Sequence, residues 1–313
     1  MVWKLTCGRK NRKEQIDKPK RATIGRPLKR LHPQKIKKNK EERYVVVKQL
    51  YRIIKKHTGE IGGNGSGGPI YGELTEGWMQ KCADYLIKHT YLSEKSRWID
   101  VGCGVGKPSL HVAQYPGVEF AFGIEIDKLR TDIGHINVQH VLKEGENNPK
   151  MAHNCILQYG DVLEAESFDP FTHIYMYDVG FDPKTMLGIA ARFNNSSTAK
   201  YFISYKRPNK IINVFKFEVK LVFDFQTKMT GSSEGHQCYV FHRTSKPGIG
   251  ATQRFHPSGV PCDKLFLGAW DTYKSEGFEG IKKHVDEKVA EFYGSTTERV
   301  RKPPDRYHDS YHG

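Results

Sequence analysis

The 313 residues are enough to bury one large core with appendages, and 50 Lys+Arg against 35 Asp+Glu give a formal charge of +15. The surplus is local: residues 1–43 hold 16 Lys/Arg and 4 acids, leaving only +3 for the rest of the chain. No apolar run is long enough to span a bilayer, no secretory leader pattern opens the chain, and the six cysteines (Cys7, Cys82, Cys103, Cys155, Cys238, Cys262) form neither a C-x-x-C pair nor a Cys/His cluster. A membrane protein, a disulfide scaffold and a zinc module are thereby excluded, and a soluble, intracellular chain with reduced thiols is expected.

Residues 1–43 read as a disordered basic arm, because a Lys/Arg-rich and aromatic-poor segment buries too little apolar surface to fold alone. Such an arm is drawn to a polyanion by counterion release, which points to DNA or a nucleosome. A solvated targeting tail competes with that reading, since K-R-A-T-I-G-R-P-L-K-R from Lys20 to Arg30 resembles a nuclear localisation signal.

Residues 44–95 read as a helical region. Val46, Leu50, Ile53 and Ile54 make an apolar face on a helix predicted over Glu41–His57, and the glycines from Gly62 to Gly68 then make a hinge or a loop ordered by ligand. Tyr71-Gly72-Glu73-Leu74 follows, then a helix with Trp78, Cys82, Tyr85 and Leu86 on its core face.

The core, residues 96–243, is organised around W-I-D-V-G-C-G-V-G, Trp98 to Gly106. An apolar strand runs into three spaced glycines that permit a tight turn and close backbone approach to a ligand, and Pro108 then opens a helix. An acid at the strand end, Asp100, suits an ammonium, whereas a pyrophosphate would want bare N–H groups. The competing reading is a plain strand-turn-helix. A second strand over Val118–Ile126 carries Glu125 about 20 residues beyond the glycines, where an acid accepts both ribose hydroxyls, and Asp127 after it suits a helix cap. A third strand, Cys155–Tyr159, leads to Gly160-Asp161, where an acid serves either an adenine amine or a turn.

A fourth strand over Thr172–Tyr177, a helix from Pro183, a fifth strand over Ala199–Tyr205 and an antiparallel pair over Asn213–Phe225 and Gln237–Arg243 complete the pattern. Alternating strands and helices with acids at the carboxyl ends of the first three strands predict an α/β fold, a mostly parallel doubly wound sheet with an antiparallel edge and its ligand at the topological switch point. Residues 244–313 form an extension that reads as irregular chain with one helix over Glu279–Phe292.

Taken together, Y-G-E-L, D-V-G-C-G-V-G, F-G-I-E at Phe122–Glu125, G-D at Gly160-Asp161 and S-Y-K at Ser204–Lys206 resemble the disruptor-of-telomeric-silencing family over roughly Ile70–Arg243. These are non-SET histone lysine methyltransferases acting on a lysine of the globular part of histone H3 in nucleosomes, with a Rossmann-like class I S-adenosylmethionine-dependent fold. The resemblance implies a nuclear, chromatin-regulating enzyme that uses S-adenosylmethionine and no metal. It places Tyr71, Gly72, Glu73 and Leu74 over the donor and Asp100 at the methionine moiety. Gly102, Cys103 and Gly104 then fall along its backbone contacts, Glu125 at the ribose, and Asp161 with Val162 at the adenine.

One departure stands out. Where the family has N-N-F after the fourth strand, this chain has Tyr177-Asp178-Val179, with Phe181 and Pro183 restoring the pattern. A lysine amine is over three pKa units from neutral at pH 7, roughly 4 to 5 kcal/mol, so its proton needs an outlet. Asp178, Tyr177, Phe181 and Lys206 are the expected catalytic residues, Asp178 orienting or deprotonating the amine, with Tyr175, Tyr205 and Tyr239 as further walls of an aromatic channel. Two rivals stand beside this reading. In an RNA ribose methyltransferase, Lys81 or Lys88, Asp178, Lys206 and Glu234 would form a Lys-Asp-Lys-Glu set. The other is a nucleosome- or RNA-binding protein with a degenerate core.

Overall fold

The computed structural model describes residues 33–59, 73–228, 235–246 and 256–295. Tyr71, Gly72, Glu234 and the basic run before Pro33 lie outside the described residues.

Among the described residues seven strands form one sheet: β1 (Arg97–Val101), β2 (Phe120–Glu125), β3 (Cys155–Tyr159), β4 (His173–Tyr175), β5 (Tyr201–Ser204), β6 (Val219–Lys228) and β7 (Gly235–Arg243). Their order is β3-β2-β1-β4-β5-β7-β6. The first five are parallel, and β7 is antiparallel to both β5 and β6. The chain moves outward from β1 in one direction through β2 and β3 and in the other through β4 and β5, so the switch point lies at the carboxyl end of β1. This is the expected Rossmann-like fold, with its antiparallel edge.

The helices are α1 (Pro33–His57), α2 (Glu76–Thr90), α3 (Lys107–Gln114), α4 (Lys128–Asn147), α5 (Pro183–Asn195), α6 (Lys264–Asp271) and α7 (Gly277–Ser295). Each of α2, α4, α5 and α6 begins on a side-chain cap, from Thr75, Asp127, Asp182 and Asp263 respectively. Central strands covered on both faces must be apolar throughout, and β2 is buried at all six positions, as Trp98 and Ile99 are in β1. Among the described residues no helix is long and apolar enough to cross a membrane.

Three boundaries differ from the sequence reading, each for a local reason. Helix α1 begins at Pro33, so the end of the expected disordered arm is helical. Val46, Val47, Leu50 and Ile54 are buried and anchor the helix, and strong helix formers before them let it propagate toward the N-terminus once nucleated. The strand expected from Asn213 begins at Val219. The apolar residues before it, Ile211, Phe215 and Phe217, are buried in a wide helical turn over Lys210–Val214 and the segment after it, where Phe217 stacks on Phe202 at 4.3 Å. In the C-terminal extension, the stretch read as irregular contains α6, too short for its period to register. Its Phe266 and Trp270 pack edge-on against Phe122 and Phe120 at 5.4 Å each.

Candidate functional site

The turn after β1 is held by the two neighbours of the switch point. Gly102, Gly104 and Gly106 all take positive φ, +74°, +55° and +82°, a region that costs any other residue strain. At two of them a side chain would also crowd a neighbour. A Cβ on Gly106 would stand 2.6 Å from Leu157 of β3, and one on Gly102 would stand 3.0 Å from the ring of Phe181. The N–H groups of Gly102 and Cys103 donate to the carbonyl of Ile124 at 2.8 and 3.2 Å. Gly104 N–H donates to Glu125 Oε2 at 2.7 Å and Asp127 N–H to Oε1 of the same carboxylate at 2.9 Å. Glu125 therefore fixes the glycine turn and still has lone pairs for a ligand.

This turn forms one wall of a cavity of about 360 Å³. Asp100, Glu125, Gly160, Asp161 and Val162 line it along the strand ends, Glu73 and Leu74 close it from before α2, and Tyr175, Tyr177, Gly180 and Phe181 line its aromatic end. Asp100, Glu125 and Asp161 thus meet at one cleft, as the sequence reading requires. Asp161 is half-buried and also accepts from Leu163 N–H at 2.8 Å, so it serves the turn as well as the cleft.

The electrostatics favour a cation beside Asp100. Its side chain is buried, one oxygen has no hydrogen-bond partner among the described residues, and burial, with the charge of Glu125 second, pushes its pKa well above the ordinary carboxylate range. Burial together with Asp100 and Glu125 likewise pushes the Cys103 thiol up. An unpartnered buried carboxylate is satisfied by an ammonium, and Glu125, two residues along β2 from the Gly123 that pairs with Asp100, by hydroxyl donors. This acceptor set fits an amino-acid-bearing nucleoside.

Three further groups at the site were not anticipated from sequence. Lys107, the first residue of α3, is buried and ion-paired with Glu73, tying the segment before α2 to the glycine turn. A lysine between Gly106 and an otherwise apolar helical start was the available signal. Tyr51 of α1 reaches the cavity wall and shares a 3.2 Å hydrogen bond with Nδ1 of His111, whose pKa burial lowers to about 3, so the imidazole is neutral. Arg130 of α4 lines the cavity beside the exposed Ile126.

The structure separates the expected catalytic residues. Tyr177 and Phe181 line the cavity, whereas Asp178 and Lys206 do not. Asp178 is fully buried: Ser204 Oγ donates to it at 2.5 Å and Tyr205 N–H at 2.7 Å, which locks the end of β5. Lys206 Nζ donates to the Val179 carbonyl at 3.4 Å. Among the other tyrosines, Tyr175 lines the cavity, Tyr205 braces Tyr177 edge-on at 4.9 Å, and Tyr239 packs toward Phe241. Of the Lys-Asp-Lys-Glu set, Glu234 lies outside the described residues; among those described, both Asp178 oxygens accept hydrogen bonds from the end of β5, and Lys81 lies over the Trp78 ring at 4.1 Å.

Burial raises the Asp178 pKa to about 6 against the pull of Ser204, Tyr205 and Lys206. A raised carboxylate gives stability that is full below its unfolded pKa and is lost as pH rises through the folded value, here over pH 4 to 6, with a ceiling of about 3 kcal/mol. Asp178→Asn, which can still accept from Tyr205 and donate to Ser204, is therefore expected to be at least as stable as wild type at pH 8 and to lose that pH dependence. Asp178→Leu, leaving both partners unpaired, should be less stable at either pH. Denaturant unfolding at pH 5 and pH 8 checks both, and a destabilised Asn variant at pH 8 would refute this account of the lock.

Among the described residues no group of His, Cys, Asp and Glu could hold a metal ion. Residues 65–207 match the family described as histone methylation protein DOT1. No curated protein matches. Among solved structures, the chain is similar to magnesium protoporphyrin IX methyltransferase from Synechocystis PCC 6803 with bound SAM, at 14% identity and a TM-score of 0.41, covering 69% of this chain and 100% of that one. It is also similar to M. capricolum TrmK in complex with S-adenosyl-homocysteine, at 10% identity and a TM-score of 0.40, covering 69% and 96%.

Proposed function

We propose that this chain, whose residues 65–207 match the DOT1 histone methylation family, methylates a lysine in the globular part of histone H3 on nucleosomes, with S-adenosylmethionine as donor. The observation that carries the reading is the cleft lined by Asp100, Glu125 and Asp161 together with Glu73 and Leu74 of the Y-G-E-L segment. S-adenosylmethionine supplies an electrophilic methyl on a sulfonium when bound.

The residues divide the remaining work. Asp100 takes the ammonium on its unpartnered oxygen, Glu125 takes the ribose hydroxyls, and Asp161 with Val162 faces the base. Lys107, paired with Glu73 and lining the same cavity, would supply a positive charge to an amino-acid carboxylate. Gly102, Cys103 and Gly104 allow close backbone approach to the donor. Methyl transfer to an amine needs alignment and exclusion of water more than covalent help, and Tyr175, Tyr177 and Phe181 provide an apolar channel that desolvates the incoming nitrogen. Asp178 and Lys206 act in this scheme by holding the channel's floor.

Mass spectrometry of histones after incubation of nucleosomes with the full chain and donor tests the acceptor. Methyl groups on a lysine of the H3 core support it, and label found only on RNA would replace it with the rival activity. The basic arm anchors the enzyme to nucleosomal DNA and accords with a nuclear site of action. Deleting residues 1–32 removes 11 Lys/Arg and 2 acids while sparing α1. Nucleosome affinity should fall and its salt slope flatten by about 0.9 for each phosphate that the arm no longer neutralises. An unchanged slope in binding titrations across 50 to 200 mM salt, about the range in which phosphate neutralisation registers, would remove the anchoring role.

A further inference from the structure

The incoming nitrogen must lose a proton, and the acid placed closest to its path in the sequence, Asp178, is turned away into the end of β5. The other carboxylates around the cavity have other work: in the scheme above Asp100 and Glu125 hold the donor, and the remaining three are engaged within the protein. Asp182 caps α5 through Lys184 N–H, Thr185 N–H and Thr185 Oγ, Glu73 is paired with Lys107, and Asp161 caps its own turn. Tyr177 is different. It lines the cavity, and its hydroxyl lies 3.5 Å from Nε2 of His236, a half-buried residue of β7. Its ring is clamped edge-on by that imidazole at 5.7 Å and by Tyr205 at 4.9 Å. A long hydrogen bond is common in a site without ligand and shortens when the reacting group arrives.

We propose that His236 is a positioning residue that holds the Tyr177 hydroxyl toward the acceptor and receives, through it, the proton the acceptor nitrogen gives up. This rests on the amine-acceptor reading above. The proton balance is simple. The N–H bond of the substrate ammonium breaks as the phenol oxygen takes that proton, and the phenol's own proton passes to Nε2. The products are a neutral amine, a neutral phenol and an imidazolium that releases its proton to water. The path requires the tautomer with its hydrogen on Nδ1, so that Nε2 is the acceptor. Among the described residues, the titratable and charged groups around the pair are Asp178 beside Tyr177, Tyr205 and Lys206 at the end of β5, Cys238 two residues along β7, and on β6 Lys228, next to the Thr227 that pairs with His236. Of these, Asp178 is held by Ser204 and Tyr205, and Lys206 by the Val179 carbonyl.

The test uses the full chain with His236→Gln and Tyr177→Phe. In the unliganded protein, ¹⁵N NMR of the histidine rings should place the His236 ring hydrogen on Nδ1 and show an Nε2 resonance that moves when Tyr177 becomes Phe. An unchanged Nε2 resonance overturns the pairing whatever the activity. In methyl transfer to nucleosomes, each variant should be slower by on the order of 10²-fold at pH 7. Each should also replace the wild-type acid limb with a rate that climbs about tenfold per pH unit, as for an unassisted amine. S-adenosylmethionine affinity should stay within about twofold, since the pair lies at the acceptor end; a wild-type pH profile in His236→Gln overturns the proton path. If wild type transfers nothing to nucleosomes while the NMR coupling persists, the pair stands and the acceptor reading fails.

Discussion

Glu125→Gln should reduce affinity for S-adenosylmethionine by at least about 10²-fold and lower the melting temperature of the unliganded protein as well. Two charge-assisted hydrogen bonds to a diol are worth about 1.5–3 kcal/mol each, and in the proposed scheme the carboxylate accepts both. The same carboxylate also receives the Gly104 and Asp127 N–H groups. An amide must point its NH₂ at one of them, donor against donor, and leaves a buried N–H unpaired at a cost of about 1–3 kcal/mol. Glu125→Asp keeps the charge but withdraws it by one methylene, so it should rescue little. Isothermal titration and thermal melts on the three proteins provide the check. Unaltered affinity in Glu125→Gln would mean that the cleft holds its ligand elsewhere.

Asp100→Asn should act with opposite signs on stability and binding. The Asp100 pKa is raised by burial and by Glu125. The stability linked to it is therefore full below the unfolded carboxylate pKa and is lost as pH rises through the folded value. A neutral isostere removes that loss, so the unliganded variant should melt higher than wild type at pH 8. Donor affinity should fall by on the order of 10²-fold or more, because a buried ammonium is left without its counter-charge. Wild type should also bind donor more tightly as pH rises and release a proton on binding, read by calorimetry in two buffers of different ionisation enthalpy. Asn should show neither effect. A variant that is less stable and binds normally would contradict the cation site.

The sheet and the three acids were legible in the sequence because each rests on a local rule. Buried parallel strands read as apolar runs, and a strand that stops on an acid before spaced glycines has few other uses. Asp178 shows where such reading stops. Its type and position beside Tyr177 suit a catalytic acid, but its direction depends on the register of β4 against β5, which brings Ser204 and Tyr205 to it. Lys107 and His236 matter through partners 34 and 59 residues away, Glu73 and Tyr177 respectively, and no periodicity carries that information. Helix α6 escaped notice because two turns are too short for an amphipathic pattern, although its two large aromatics complete the core beneath β2.

Titration of S-adenosylmethionine into the full-length wild-type chain is the most direct measurement of the central claim. One saturable site per chain, displaced by S-adenosylhomocysteine and lost in Glu125→Gln, is the result expected of a cleft built from Asp100, Glu125 and Asp161. Absence of binding at millimolar donor, with the protein folded, would contradict it.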